Sequence, residues 1–158
     1  MKIAGILILV SMCSLTRCSR NPLDKLDTPQ QLTLYSVDGR DFEPGEEPKT
    51  DEKFHGYPVL GKVEITEEGQ RRDLIAALKV GIDLSDGKLA ACFWPRHAIR
   101  MVRENQTTDL VICFECYQLR DYKTKQVKTI TITRDPQPLF DKTLQEVGIK
   151  LAPKSKQE

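Results

Sequence analysis

The stretch "TDLVICFECYQL", residues 108–119, sets Cys113 and Cys116 three apart around a glutamate, inside a run of apolar residues. Such a run reads as a buried β-strand. In a regular strand, residues three apart point to opposite faces, and their Cα atoms stand about 10 Å apart at ~3.3 Å per residue. A disulfide needs Cα atoms within about 4.4–6.8 Å, and two ligands of one zinc ion need similar convergence. The two cysteines therefore cooperate only if the strand breaks between them. Phe114 and Glu115 are not turn formers, and no Gly or Pro separates the cysteines. The expectation is a strand running through the motif, with both cysteines used for packing.

Working outward, "LAACFWPRHAIRMVR" (89–103) and "QVKTITITR" (126–134) flank this run across the short polar connections "ENQT" and "YKTK". Short connections between β-rich runs mean antiparallel neighbours, hence a three-stranded meander. Upstream, "QLTLYSVDG" (31–39) alternates before an Asp-Gly turn, and "VLGKVEIT" (59–66) reads as a second strand. Thr66 is placed to cap a helix in which Leu74, Ile75, Leu78 and Ile82 share one face and Gly81 marks the end. Asp135 and Pro136 open a last helix, with Leu139, Phe140, Leu144 and Val147 as its apolar stripe and Gly148 as its C-terminal cap. The predicted order is ββαβββα: an α+β domain over 31–150, with an antiparallel sheet of about five strands and two helices on one face. The acidic, Pro/Gly-bearing stretch 38–58 is expected to be a long mobile loop, and 151–158 a polar, disordered tail.

The 158 residues, 39% hydrophobic and 30% charged, have the composition of one globular domain. The N-terminus "MKIAGILILVSMCSLTRC" has one Lys and then an apolar segment from Ile3 to about Val10. That is too short to span a bilayer and has the proportions of a secretory signal. "SLTRC" resembles a lipoprotein cleavage site with Arg17 where a small residue belongs. "LVSMC" offers Cys13 with Met12 in the same place, and cleavage after Ser11 to Cys13 is the competing pattern. The expectation is a signal peptide over 1–17, lipidation at Cys18 and a polar tether over 18–30. Removing residues 1–17, with Lys2 and Arg17, leaves 24 − 2 = 22 basic against 23 acidic residues, a balance of −1. This balance argues against a nucleic-acid partner.

Beyond the signal, Cys92, Cys113, Cys116 and His97 are the candidate disulfide or metal residues, since zinc accepts a Cys₃His set. A turn centred on Asn105 and Gln106 makes facing residues sum to about 211, which sets Cys92 opposite Leu119. A bridge from Cys92 to Cys116 then needs a bulge at Pro95. Thioredoxin-like chemistry lacks the amphipathic helix that should follow the motif. The same register puts Glu115 opposite Arg96 as a structural ion pair. His97 alone reads as a core or edge histidine, and His55 as an exposed loop residue. No Ser/His/Asp set, phosphate loop or paired catalytic carboxylates can be assembled.

"CFWPRHAIR" and "DLVICFEC" together resemble small uncharacterised bacterial exported proteins with a Cys-Phe-x-Pro-Arg-His element and an Ile-Cys-Phe-Glu-Cys strand, over roughly residues 54–149. The resemblance implies a module assignment and gives no mechanism, the group having no known activity. The function expected from the sequence is an exported, lipid-anchored, non-enzymatic binding or structural module without a cofactor. It would meet the membrane through its anchor and a cell-envelope protein or other envelope component as partner. The alternative is a small zinc-binding or thiol-redox protein.

Overall fold

Glu104 and Asn105 both have positive φ, 48° and 64°, which gives the mirror-image two-residue turn that suits the twist of a hairpin. This turn sets the register at the centre of the sheet: His97 faces Ile112, Arg100 faces Asp109 and Arg103 faces Gln106. Facing residues thus sum to 209. The expected value of 211 placed the turn one residue too late.

The computed structural model describes residues 28–43, 45–122 and 126–154. In chain order the elements are β1 (Gln31–Val37), β2 (Lys53–Phe54), β3 (Tyr57–Glu64), α1 (Glu68–Asp83), β4 (His97–Arg103), β5 (Gln106–Cys113), β6 (Gln118–Asp121), β7 (Lys128–Thr131) and α2 (Gln137–Glu146). All strand pairs are antiparallel, in the order β2-β3-β1-β4-β5-β6-β7. The fold is α+β as expected, but with seven strands among the described residues instead of about five. One extra strand, β2, lies in the supposed loop. The other arises because the run 108–119 breaks into β5 and β6.

Period-two alternation divides the sheet into two faces. Leu32 and Leu34 of β1, Ile99 and Met101 of β4, Leu110 and Ile112 of β5, and Leu119 of β6 form one core with Leu74 and Leu78 of α1 and Phe140 and Leu144 of α2. Each such buried side chain contributes about 1.5–3 kcal/mol of transfer free energy. The opposite face carries a smaller cluster of Tyr35, Val37, Phe54, Val59, Ala98 and Val111. Phe54 is buried with its ring centroid 4.5 Å from that of Tyr35, so the end of stretch 38–58 is docked on the sheet. At its start, buried Asp38 is gripped by Arg40 through contacts of 2.9 and 2.7 Å. Leu151 is half-buried and Ala152 buried, so packing continues into the supposed tail. Among the described residues no helix is long and apolar enough to cross a membrane.

The helix expected to stop at Gly81 continues to Asp83, and Thr66 makes no cap, the N-cap position falling to Glu67. Gly81 is inside the helix for a packing reason. A Cβ there would stand 2.7 Å from Pro136 Cγ and 3.0 Å from Ile132 Cγ1, and its carbonyl accepts the Thr133 N–H at 2.9 Å. Close approach of α1 to the chain entering α2 requires the missing side chain. Gly81→Val is expected to lower stability by about 1–3 kcal/mol, as overpacking does, measured by urea denaturation. Unchanged stability would show that α1 is free to shift away.

Candidate functional site: a three-sulfur cluster

β5 ends at Cys113 and the chain reverses over residues 114–117, where the Tyr117 N–H bonds to the Phe114 carbonyl at 3.2 Å. Tyr117 has φ +57°, uncommon for a bulky side chain. Tertiary partners hold this turn. Phe114 is buried with its ring 5.4 Å from those of both His97 and Phe140, the Cys116 carbonyl accepts the Ala90 N–H at 3.0 Å, and the Tyr117 carbonyl accepts the Ile132 N–H at 3.1 Å. Arg134 donates to the Glu115 carbonyl at 3.1 Å. The turn brings the Cα atoms of Cys113 and Cys116 to 5.2 Å, and the two are joined as a disulfide. The expectation of a strand through the motif is corrected here.

Cys92 comes from the connection between α1 and β4. Gln118, the first residue of β6, holds this segment by donating Nε2 to the carbonyl of Cys92 at 3.1 Å and to that of Ala90. Cys92 Sγ lies 3.4 Å from Cys116 Sγ. Backbone N–H groups reach the same sulfurs: Trp94 to Cys116 Sγ at 3.5 Å and Cys116 to Cys113 Sγ at 3.2 Å. Cys113 Sγ also lies 3.2 Å from the Trp94 carbonyl oxygen. Cys113 and Cys116 are each 2% exposed, whereas Cys92 is half-buried and free. One residue beyond Cys116, Tyr117 lines a cavity of about 470 Å³ with Leu84, Lys88 and Ile132.

His97 does not join the sulfurs. It faces Ile112 in the register and packs against Phe114 and Phe140 on the helix side, with Nε2 2.7 Å from Asp141 Oδ1 but not aligned for a hydrogen bond. The Cys₃His set is therefore not assembled. With Cys113 and Cys116 bonded to each other, no group of three or more metal-ligating side chains stands ready among the described residues. Arg96 and Glu115 do meet, at 3.3 Å, but from a loop and a turn instead of facing strands. Arg96 Nε also donates to the Ala152 carbonyl at 2.7 Å. Cys18 lies outside the described residues.

A second polar cluster sits on the sheet face away from the helices. His55, φ +48°, begins the tight β2–β3 turn and places Nε2 2.7 Å from Asp109 Oδ2, with its ring stacked on Tyr122 at 4.0 Å. Arg100, directly across from Asp109, forks onto both carboxylate oxygens at 2.8 and 2.6 Å. Burial works against the charged form of Asp109, but Arg100 and His55 outweigh it and hold the carboxyl below its usual range. The sequence read His55 as an exposed loop residue; it is exposed and sits in a tight turn with Gly56, φ +92°, and what the sequence did not show is its contact with Asp109.

Comparison with protein-family models, curated proteins and solved structures finds no match.

Two predictions belong to these contacts. Burial pushes the His97 imidazole down, against the opposing pull of Asp141. The unfolded chain then binds the proton more readily, so the His97 contribution is full above the unfolded pKa of about 6.5 and falls as pH drops below it, by at most about 1.4 kcal/mol per pH unit. His97→Gln is expected to flatten the fall in urea midpoint between pH 7.5 and 5; an unchanged slope would contradict the assignment. Arg96 and Glu115 side chains are 12% and 18% exposed. Between Ala substitutions of the two, a double-mutant cycle is expected to give about 0.5–3 kcal/mol of coupling, and simple additivity would deny the pair.

Proposed function

We propose that this chain is an exported thiol–disulfide exchange protein in which Cys92 passes electrons between a partner and the buried Cys113–Cys116 pair. The observation that carries this reading is the 3.4 Å separation of Cys92 Sγ from Cys116 Sγ. Exchange proceeds by attack of a thiolate on a disulfide sulfur, so a free thiol must reach the bridge. Cys92 reaches it from the accessible side, while the bridge itself is buried.

Starting from three thiols, the Cys92 thiolate attacks a partner disulfide, forming a mixed disulfide and releasing one partner thiolate. Cys116 then attacks Cys92 Sγ, forming a bridge between the two and releasing the second partner thiolate. Finally Cys113 attacks Cys116 Sγ; the Cys113–Cys116 bond forms, the bond to Cys92 breaks, and Cys92 is free again. Two electrons have passed to the partner, and two protein thiols have become one disulfide. In the reverse direction the protein oxidises a partner dithiol. Backbone N–H groups of Trp94 and Cys116 point to Cys116 Sγ and Cys113 Sγ, and the Trp94 carbonyl stands beside Cys113 Sγ.

Export belongs to the same proposal: a signal over 1–17, a lipid anchor at Cys18 and a disulfide-bearing envelope protein as partner. Its support is the apolar segment from Ile3 to Val10 together with Cys18, and an oxidising compartment sustains such chemistry.

In the test, fully reduced protein is mixed with a protein-sized disulfide, quenched at intervals and mapped by mass spectrometry. A mixed disulfide on Cys92 is expected first, then the Cys113–Cys116 bond. Cys92→Ser is expected to slow exchange at least about 100-fold, the scale on which loss of a positioned reactant costs rate. Exchange by Cys92→Ser at the wild-type rate would overturn the proposal.

A further inference from the structure

We infer that the reduced protein holds a closed-shell thiophilic cation, with zinc as the reference ion, on Cys92, Cys113 and Cys116. The inference shares with the exchange reading the convergence of the three sulfurs, their N–H contacts and the half-buried position of Cys92. It does not require exchange to occur.

Three observations carry it. First, the spacing is right. A tetrahedral zinc with Zn–S near 2.3 Å sets its sulfurs about 3.8 Å apart, and Cys92 Sγ is already 3.4 Å from Cys116 Sγ. Second, the turn places Cys113 and Cys116 with Cα atoms 5.2 Å apart, so both side chains converge from one rigid reversal. Reduction frees both for a shared ion without moving the backbone far. Third, the sulfurs have N–H donors: Cys116 N–H lies 3.2 Å from Cys113 Sγ, and Trp94 N–H lies 3.5 Å from Cys116 Sγ. Such contacts orient thiolate ligands and offset part of their buried charge.

His97 packs against Phe114 and Phe140 and its Nε2 is turned to Asp141 Oδ1 at 2.7 Å, so it does not supply a fourth ligand. Three protein ligands leave one position for water or an exogenous thiol, the arrangement of an open site. Half-buried Cys92 gives the ion its way in. Loading converts three thiols to thiolates, with up to three protons released to solvent.

The experiment uses the reduced, folded protein under anaerobic conditions, titrated with Zn²⁺ against a chromophoric chelator, with Co²⁺ as a spectroscopic probe. One zinc per chain and a thiolate-to-cobalt charge-transfer band are expected. Cys92→Ser, which leaves the other two cysteines able to pair, should weaken zinc binding by more than the about 10- to 100-fold that loss of a merely supporting neighbour costs. His97→Gln, with its fold verified by circular dichroism, should leave affinity unchanged. No zinc on fully reduced, folded wild type would overturn the inference, as would binding indifferent to Cys92 or lost with His97. A failure of zinc binding alone leaves the exchange rates of Cys92→Ser to decide the exchange reading.

Discussion

Burial of Phe114 between His97 and Phe140 is the constraint on which the rest of the site depends. A buried phenylalanine ring gains about 1.5–3 kcal/mol by leaving water, and here the ring leaves water on the helix side while the chain around it turns back. Cys113, one residue earlier, stays on the opposite face by alternation. Cys116 then swings toward it because Tyr117 takes a left-handed conformation and the turn's carbonyls find donors in Ala90, Ile132 and Arg134. The reversal is thus enforced from outside the turn.

The same economy governs the polar groups. Charged groups are paired at short range: Asp109, buried, with Arg100 and His55 on the sheet face away from the helices, and Arg96 with Glu115 where a loop meets the turn after β5. Burying an isolated charge is costly, and pairing recovers much of that cost without adding much net stability. These clusters therefore specify geometry more than they strengthen the fold. Arg96 ties the turn carrying Glu115 to the C-terminal segment through Ala152, while His55 ties the β2–β3 hairpin to the middle of β5.

Between these anchors, Gln118 plays the linking part for the sulfurs. Its side chain holds the carbonyls of Ala90 and Cys92 while its backbone belongs to β6, so the connection from α1 cannot drift from the turn. A cluster built this way keeps two sulfurs buried and one reachable.

The sequence by itself determined the α+β class, the helical stripes of Leu74, Leu78, Phe140 and Leu144, the central antiparallel neighbours and the candidate cysteines. All of these follow from local periodicity and residue type, which are properties of short segments. It could not reveal the turn at residues 114–117, because no residue there favours a turn and the stabilising partners lie in other segments, at Ala90, Ile132, Arg134 and Phe140. It could not place His55 against Asp109, because that contact spans 54 positions. The register slip from 211 to 209 came from the turn lying at Glu104 and Asn105. Only the tertiary structure decided which sulfurs meet, since a contact between distant segments depends on how the whole sheet closes over its helices, and no local preference encodes that.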